Sequence, residues 1–362
     1  MQHDSRLRVE SAQEVKQISP TESNVTQPLS YPESKPPAAG ESLAVAAGVQ
    51  WLRMPLPFAL DHVNLWLLEE FDGWAAVDTG IALDPVKAAW ERALAGKRLT
   101  RQIVTHFHPD HLGLAAWLED KTGAPLWITQ GEYLTANVVR AQIGGYSVPA
   151  MLAYFRTHGL DAERLAGLET RGNAYARVVP AIPSTYRRIY NGEEIAVGKN
   201  VWRVIVGHGH APEHASLYCA SLGVLISGDM LLPRISTNVS AFAGVPEGNP
   251  LARFLESIAA LRELPEDTLV LPSHGLPFRG LHARVEQLEL HHRGRCDVLL
   301  EACAATPKTA AELLPVLFER DIADPHQIMF ALGEAIAHLI FLEQSRAMTR
   351  VVENGTIRYL KT

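Results

Sequence analysis

The chain's 362 residues are long enough for two domains, and 47% apolar with 20% charged content is that of a globular protein with a sizeable core. A net charge of −7 disfavours a high-affinity polyanion binder, which must neutralise phosphates. No run of about 18 or more apolar residues occurs, so no membrane span is expected. The first residues lack the basic start, apolar stretch and cleavage site of a secretory leader. Three cysteines, Cys219, Cys296 and Cys303, have no CxxC spacing, so neither a disulfide framework nor a thiolate zinc site is expected, and a reducing cytoplasm fits.

Residues 1–42 are polar and dotted with prolines (Pro20, Pro28, Pro32, Pro36, Pro37) and read as a flexible tail. Residues 49–54 and 63–68 alternate or run apolar like strands, Phe71-Asp72-Gly73 marks a turn, and 74–77 continues as a strand. Asp78-Thr79-Gly80 closes that strand with turn residues, and 84–95 has a proper helix start. Ile103-Val104 reads as a short buried strand, and Leu112, Leu114, Ala115, Ala116 and Leu118 as an apolar helix face. A strand over 125–129 and a helix over 131–142 follow. The stretch 143–185, with the adjoining Tyr186, Arg187 and Arg188, is a long insertion of partly helical period containing Tyr146, Met151, Tyr154, Phe155 and Arg156.

The strand 201–206 ends in Gly207-His208-Gly209-His210-Ala211-Pro212-Glu213-His214. Residues 216–219 and 223–228 form a hairpin ending at Asp229. The loop 233–250, with Ser236 and Asn238, is expected to line a substrate cleft. A helix with Leu251, Phe254, Leu255, Ile258 and Leu261 on one face leads to the last core strand, 268–271, and to His274. Residues 281–362 read as a separate small domain: helices over 282–303, from about 306, and from 324, then a hairpin over 350–359 turning at Asn354-Gly355.

The densest chemistry lies in Thr105-His106-Phe107-His108-Pro109-Asp110-His111-Leu112-Gly113, on a strand-to-helix loop. In extended chain His106 and His108 point the same way and can share one cation. Pro109 helps keep His108 extended. Asp110 and His111 fall in the first helical turn, where free amides favour a carboxylate. Two offset pairs of ligands suit two adjacent ions. A lone histidine is usually a surface or hydrogen-bonded core residue, but three with an aspartate would be costly to bury uncompensated.

His106-x-His108-x-Asp110-His111 resembles the signature of the metallo-β-lactamase superfamily in its dinuclear hydrolase branch (glyoxalase II, lactonases, tRNase Z and relatives). The resemblance can be followed from about Met54 to the C-terminus. It implies an α/β fold, a four-layer αββα sandwich over 43–280 with the metals at one edge between two sheets. The family pattern Gly-His-Thr-Pro-Gly-His, laid on 209–214, selects His210, although Ala211 and Glu213 depart from it. The implied ligands are His106, His108 and His210 for one ion and Asp110, His111 and His274 for the other, with Asp229 shared. Asp78, His208 and His214 would support them from behind. The insertion would cap the site, and Tyr146, Tyr154, Arg188, Ser236 and Asn238 are candidate substrate contacts.

Imidazole and carboxylate without thiolate suit two zinc ions, with iron or manganese as alternatives. Diiron flavoprotein relatives carry an acidic residue where this chain has His108. The expected function is hydrolysis of a thioester, ester or lactone of a small organic acid by a metal-bridging hydroxide, with Asp110 orienting the nucleophile and taking its proton. The alternative is a metal-dependent nuclease or phosphodiesterase. A β-lactamase is least favoured, since that branch usually lacks the Asp-His pair. The C-terminal domain resembles a winged helix, but its third helix is apolar and acidic (Glu334, Glu343). Packing or homodimerisation is therefore expected of it rather than nucleic-acid binding.

Overall fold

The computed structural model describes residues 28–33 and 35–362. A seven-stranded sheet runs in sequence order: β1 (Ser42–Ala46), β2 (Val49–Pro55), β3 (His62–Glu70), β4 (Gly73–Val77), β5 (Leu99–Ile103), β6 (Leu126–Ile128) and β7 (Arg187–Arg188). It is antiparallel up to β4 and parallel beyond. The five-stranded second sheet holds β8 (Glu194–Val197), β9 (Asn200–Gly207), β10 (His214–Cys219), β11 (Val224–Gly228) and β12 (Leu269–Pro272), with only β11–β12 parallel.

Strand alternation builds the layers. In β2, Trp51 enters the core between the sheets, where it meets Trp66, Trp202, Leu217 and Ile226, while Leu52 and Met54 face the opposite side. There they meet Val86, Ala89 and Trp90 of α1 (Asp84–Ala93) and Leu118. α2 (Pro109–Leu112) is a single turn carrying the metal loop, and α3 (Ala115–Thr122) completes this outer layer. On the second sheet, Val224 and Ile226 face inward, and Leu225 faces out to helices. The αββα sandwich expected from the sequence is therefore the observed architecture.

The remaining helices are α4 (Gln130–Arg140), α5 (Val148–Thr157), α6 (Ala162–Arg171), α7 (Ala174–Val178), α8 (Pro250–Ala260), α9 (Leu281–Ala302), α10 (Ala310–Phe318) and α11 (Pro325–Gln344), followed by the hairpin β13 (Met348–Glu353) and β14 (Thr356–Lys361). The hairpin turns at Asn354 (φ 51°) and Gly355 (φ 78°), where two successive positive φ angles explain the residue choice. Thr309 caps α10 reciprocally with Glu312.

Three sequence expectations change here. One apolar cluster joins Leu152, Phe155, Leu165 and Leu168 of the insertion to Phe254, Leu299, Leu313, Leu332 and Tyr359. The α5 and α6 part of the insertion thus packs into the C-terminal helices rather than over the metal loop, and 281–362 shares its core with the second sheet. Of the expected flexible tail, 1–27 lies outside the described residues, but the segment after it is docked. Ser30 and Arg279 exchange backbone hydrogen bonds of 3.2 and 2.9 Å. α11 is also apolar enough in composition to cross a bilayer, with mean hydropathy 1.2, but 67% of that window is buried inside the protein.

Candidate metal centre

The site forms where β4, β5, β9, β11 and β12 end. His106, His108, His210 and Asp229 bring one ligand atom each within 4.8 Å of one another, and Asp110, His111 and His274 do the same. Asp229 stands between the sets. Its Oδ2 is 3.4 Å from His210 Nε2 and 3.7 Å from His111 Nε2, and its Oδ1 is 3.4 Å from His274 Nε2. Asp110 Oδ2 is 3.4 Å from His274 Nε2 and 3.6 Å from His111 Nε2.

Three of the rings are held from behind. His111 Nδ1 donates to Asp78 Oδ2 (2.7 Å), His210 Nδ1 to the Asn238 carbonyl (2.7 Å) and His274 Nδ1 to the His62 carbonyl (2.8 Å). With Nδ1 protonated, Nε2 keeps its lone pair for the site. His111 Nε2 and Asp229 Oδ1 are buried without a hydrogen-bond partner. Such orphaned polar atoms are costly, and a cation relieves them. His106 Nε2 and His210 Nε2 lie 3.2 Å apart, a spacing that suits two ligands of one ion.

Asp78 carries a backbone load as well. Its φ is +65°, a left-handed angle that strains a non-glycine residue by about 1–3 kcal/mol. It accepts from the Thr105 amide (2.7 Å) as well as from His111. Thr79 binds the His111 carbonyl through both its amide (2.8 Å) and its hydroxyl (2.7 Å). The Asp78-Thr79-Gly80 turn is therefore a clamp on the metal loop. Gly228 (φ +54°) lies under His214, whose ring a Cβ would strike. His214 Nε2 accepts the Asp229 amide (3.1 Å).

Electrostatics divide the sets. Burial and neighbouring histidines hold His106 well below the ordinary histidine range, and burial with His210 pushes His108 down to about 3. These imidazoles are neutral, as ligation requires. Burial also opposes charge on His111 and His274, but it is outweighed. Asp110, Asp78 and Asp229 raise His111 well above its usual value, and Asp229 and Asp110 raise His274 to about 10. Both must release a proton to ligate. Against desolvation, His111 and His274 lower Asp110 to about 2.

A sequence profile described as the metallo-beta-lactamase superfamily matches residues 59–274. The chain belongs to this superfamily. Residues 296–362 match a metallo-beta-lactamase-like C-terminal domain. Among solved structures, this superfamily member is 45% identical to a beta-lactamase domain protein from Burkholderia ambifaria, covering 92% of this chain and 98% of that one at TM-score 0.86. A metallo-beta-lactamase family protein from Thermus thermophilus is 30% identical, covering 88% and 100% at TM-score 0.74. A probable metallo-hydrolase of Bacillus subtilis (strain 168) is 26% identical over 327 residues, 86% of this chain and 97% of that protein.

Within the superfamily fold, the other expected residues scatter. His208 is exposed and its Nδ1 lies 2.6 Å from the Pro212 carbonyl, so it clips a turn and does not touch the ligands. Tyr154 packs edge-on against His158, with its hydroxyl buried and unpartnered, in the core shared with the C-terminal domain. Arg188 is exposed on the edge strand, over the Tyr190 ring. Tyr146 packs on the 243–245 loop at Gly244. Ser236 is half-buried beside Thr237, whose hydroxyl donates to the Asp229 carbonyl (2.6 Å). Asn238 contributes its carbonyl to His210, and its side chain is engaged elsewhere.

Two residues were missed. Glu132 is fully buried and accepts the Phe107 amide (2.9 Å) and the Glu213 amide (2.6 Å), tying the His106 loop to the His210 loop. Burial pushes its pKa up to about 8, against those two amides, which favour the anion. Tyr175 of α7 donates to the Phe107 carbonyl (2.6 Å) and links the insertion to the metal loop. Both partners are backbone groups, which carry no mark in a sequence.

Proposed function

We propose that the protein is a dinuclear metal-dependent hydrolase cleaving a thioester, ester or lactone of a small organic acid. The observation that carries this reading is the sorting of seven donors into two sets that meet at Asp229. His106, His108 and His210 would hold one cation, Asp110, His111 and His274 the other, and Asp229 both. The donor set fits zinc, with iron or manganese as alternatives. When bound, such a pair would acidify a water and polarise the carbonyl oxygen of the acyl group under attack.

Asp110 is the more solvent-accessible of the two candidate carboxylates, its side chain 22% exposed against 11% for Asp229. Held ionised, it can orient the water and accept its proton, the work of a catalytic base. His214 and Asp78 keep Asp229 and His111 in register. Exposed Phe58 and Ile235 offer apolar surface on the 56–61 and 230–238 loops, next to His62 and Asp229. That surface and the net charge of −7 favour a small organic substrate over a polynucleotide. α11 is largely buried, which supports a packing role for the C-terminal domain.

The test is a metal-quantified preparation screened against hydroxyacyl thioesters, homoserine lactones and single-stranded RNA. Ester or thioester turnover that scales with metal content and disappears in Asp110→Asn supports the reading. RNA cleavage without ester turnover replaces it with the nuclease alternative.

A further inference from the structure

The carbonyl that orients His210 belongs to a loop pinned by the C-terminal domain. Both ends of the Asn238 carboxamide are engaged. Its Nδ2 donates to Glu334 Oε2 (3.3 Å), and its Oδ1 accepts from Ser240 Oγ (2.7 Å). Glu334, 6% exposed, is held in turn by Arg295 of α9, whose Nη1 lies 2.8 Å from Oε1. The neighbouring helical residue is Gly333, whose carbonyl accepts the Ala241 amide (3.0 Å) and where a Cβ would press on Ser240 Oγ at 2.8 Å. The absence of a side chain there lets α11 sit directly on the 238–241 segment.

We propose that Glu334, braced by Arg295, is a positioning residue for the metal centre: through the Asn238 side chain it fixes the carbonyl that sets the tautomer and aim of His210. This rests on the two-cation reading. A buried ion pair is a poor stabiliser in itself, since desolvation consumes most of its attraction. Fixing one geometry gives this pair a use. Partners behind a ligating histidine typically matter by about 10–100-fold in metal affinity. If Glu334 acts this way, the C-terminal domain is part of the metal site and not an appendage to it.

The test compares the full chain with Glu334→Ala, Glu334→Gln, Asn238→Ala, the Glu334→Ala/Asn238→Ala double variant and Leu332→Ala, a core variant in the same helix. Zinc affinity is measured by chelator competition, the cobalt(II)-loaded protein by visible absorption, and Tm separately. Glu334→Ala and Asn238→Ala should each weaken one of the two zinc ions by about 10–100-fold and shift the cobalt bands. The double variant should lose little more than either alone, since both cut one path, and Glu334→Gln should recover most of the loss. Leu332→Ala should lower Tm without moving the bands. Where Glu334→Ala does not fold, Asn238→Ala, which leaves the ion pair in place, decides alone. The proposal falls if the variants lower Tm while zinc affinity and cobalt spectrum stay at the wild-type values, or if Leu332→Ala shifts both equally. Wild-type protein that takes up no metal overturns the two-cation reading, and this proposal with it. Two tightly bound ions with unchanged variants overturn this proposal alone.

Discussion

The histidines at the sheet edge and those between α9 and α11 are similarly buried but not similarly equipped. In the second group His292 Nδ1 meets His338 Nε2 at 3.1 Å, His338 Nδ1 donates to the Glu334 carbonyl (2.8 Å), and Phe254 packs on His292. Burial pushes His292 down to about 2 and His338 to about 3, with neighbouring histidines and Arg295 adding to it. The nearest acid, Glu334, is committed to Arg295 and Asn238. Unpartnered nitrogens exist in both groups, including His292 Nε2. Among the described residues, however, only at the sheet edge do three or more donors converge within 4.8 Å. Burial of a histidine therefore says little. Convergent lone pairs, with carboxylates among them and fixed partners behind, mark a cation site.

The sharpest way to break this contrast is Asp229→Ala. It should remove the shared carboxylate, leave at most one ion per chain by elemental analysis, and lower turnover by at least about 10²–10³-fold. Asp78→Asn comes next. It removes the anion behind His111, and zinc affinity measured by chelator competition should fall about 10–100-fold. Glu132→Ala strands two buried amides and should cost about 1–3 kcal/mol for each in denaturant unfolding, while both ions still bind to the folded protein.

The second group should show itself through pH. Native His292 and His338 refuse a proton down to about 2 and 3, whereas the unfolded chain takes one near 6.5 at each. The unfolded state thus binds more protons as the pH falls below that value, and stability drops on acidification by at most about 1.4 kcal/mol per pH unit for each ring. His338→Gln should flatten the fall in Tm between about pH 6 and 4 relative to wild type, without changing metal stoichiometry. An equal slope in the variant would mean this pair does not titrate as argued. The smallest effect is expected of His208→Ala, which should keep both ions and most activity. Loss of one ion would exchange the roles of His208 and His210.

Much of the site was legible because its donors are crowded: four within 106–111, and His210, Asp229 and His274 each just past the end of a strand. The individual strands were legible as apolar runs, whereas their layered arrangement was legible only through the family resemblance. Asp78 could be found through the family resemblance, since its turn residues alone fit a plain turn as well. Glu132 and the Asn238 carbonyl could not, since each works through a backbone group far away in the chain. Tyr154 and Arg188 misled because aromatic and basic residues in an insertion say nothing of direction. The same apolar period serves a lid or a packed core, and here α5 and α6 joined the core. Glu334 was visible only as a charge on an apolar helix, and its partners on α9 and the 238–241 loop had to be seen.

The clip between Asn238 and α11 also has a bearing on how the molecule matures. During synthesis every donor has left the ribosome once His274 emerges, yet Glu334 follows only about sixty residues later. A prematurely terminated chain would carry all seven donors with His210 unsecured. On the proposed role of Glu334, docking of α11 would then strengthen the uptake of one cation about 10–100-fold rather than gate it.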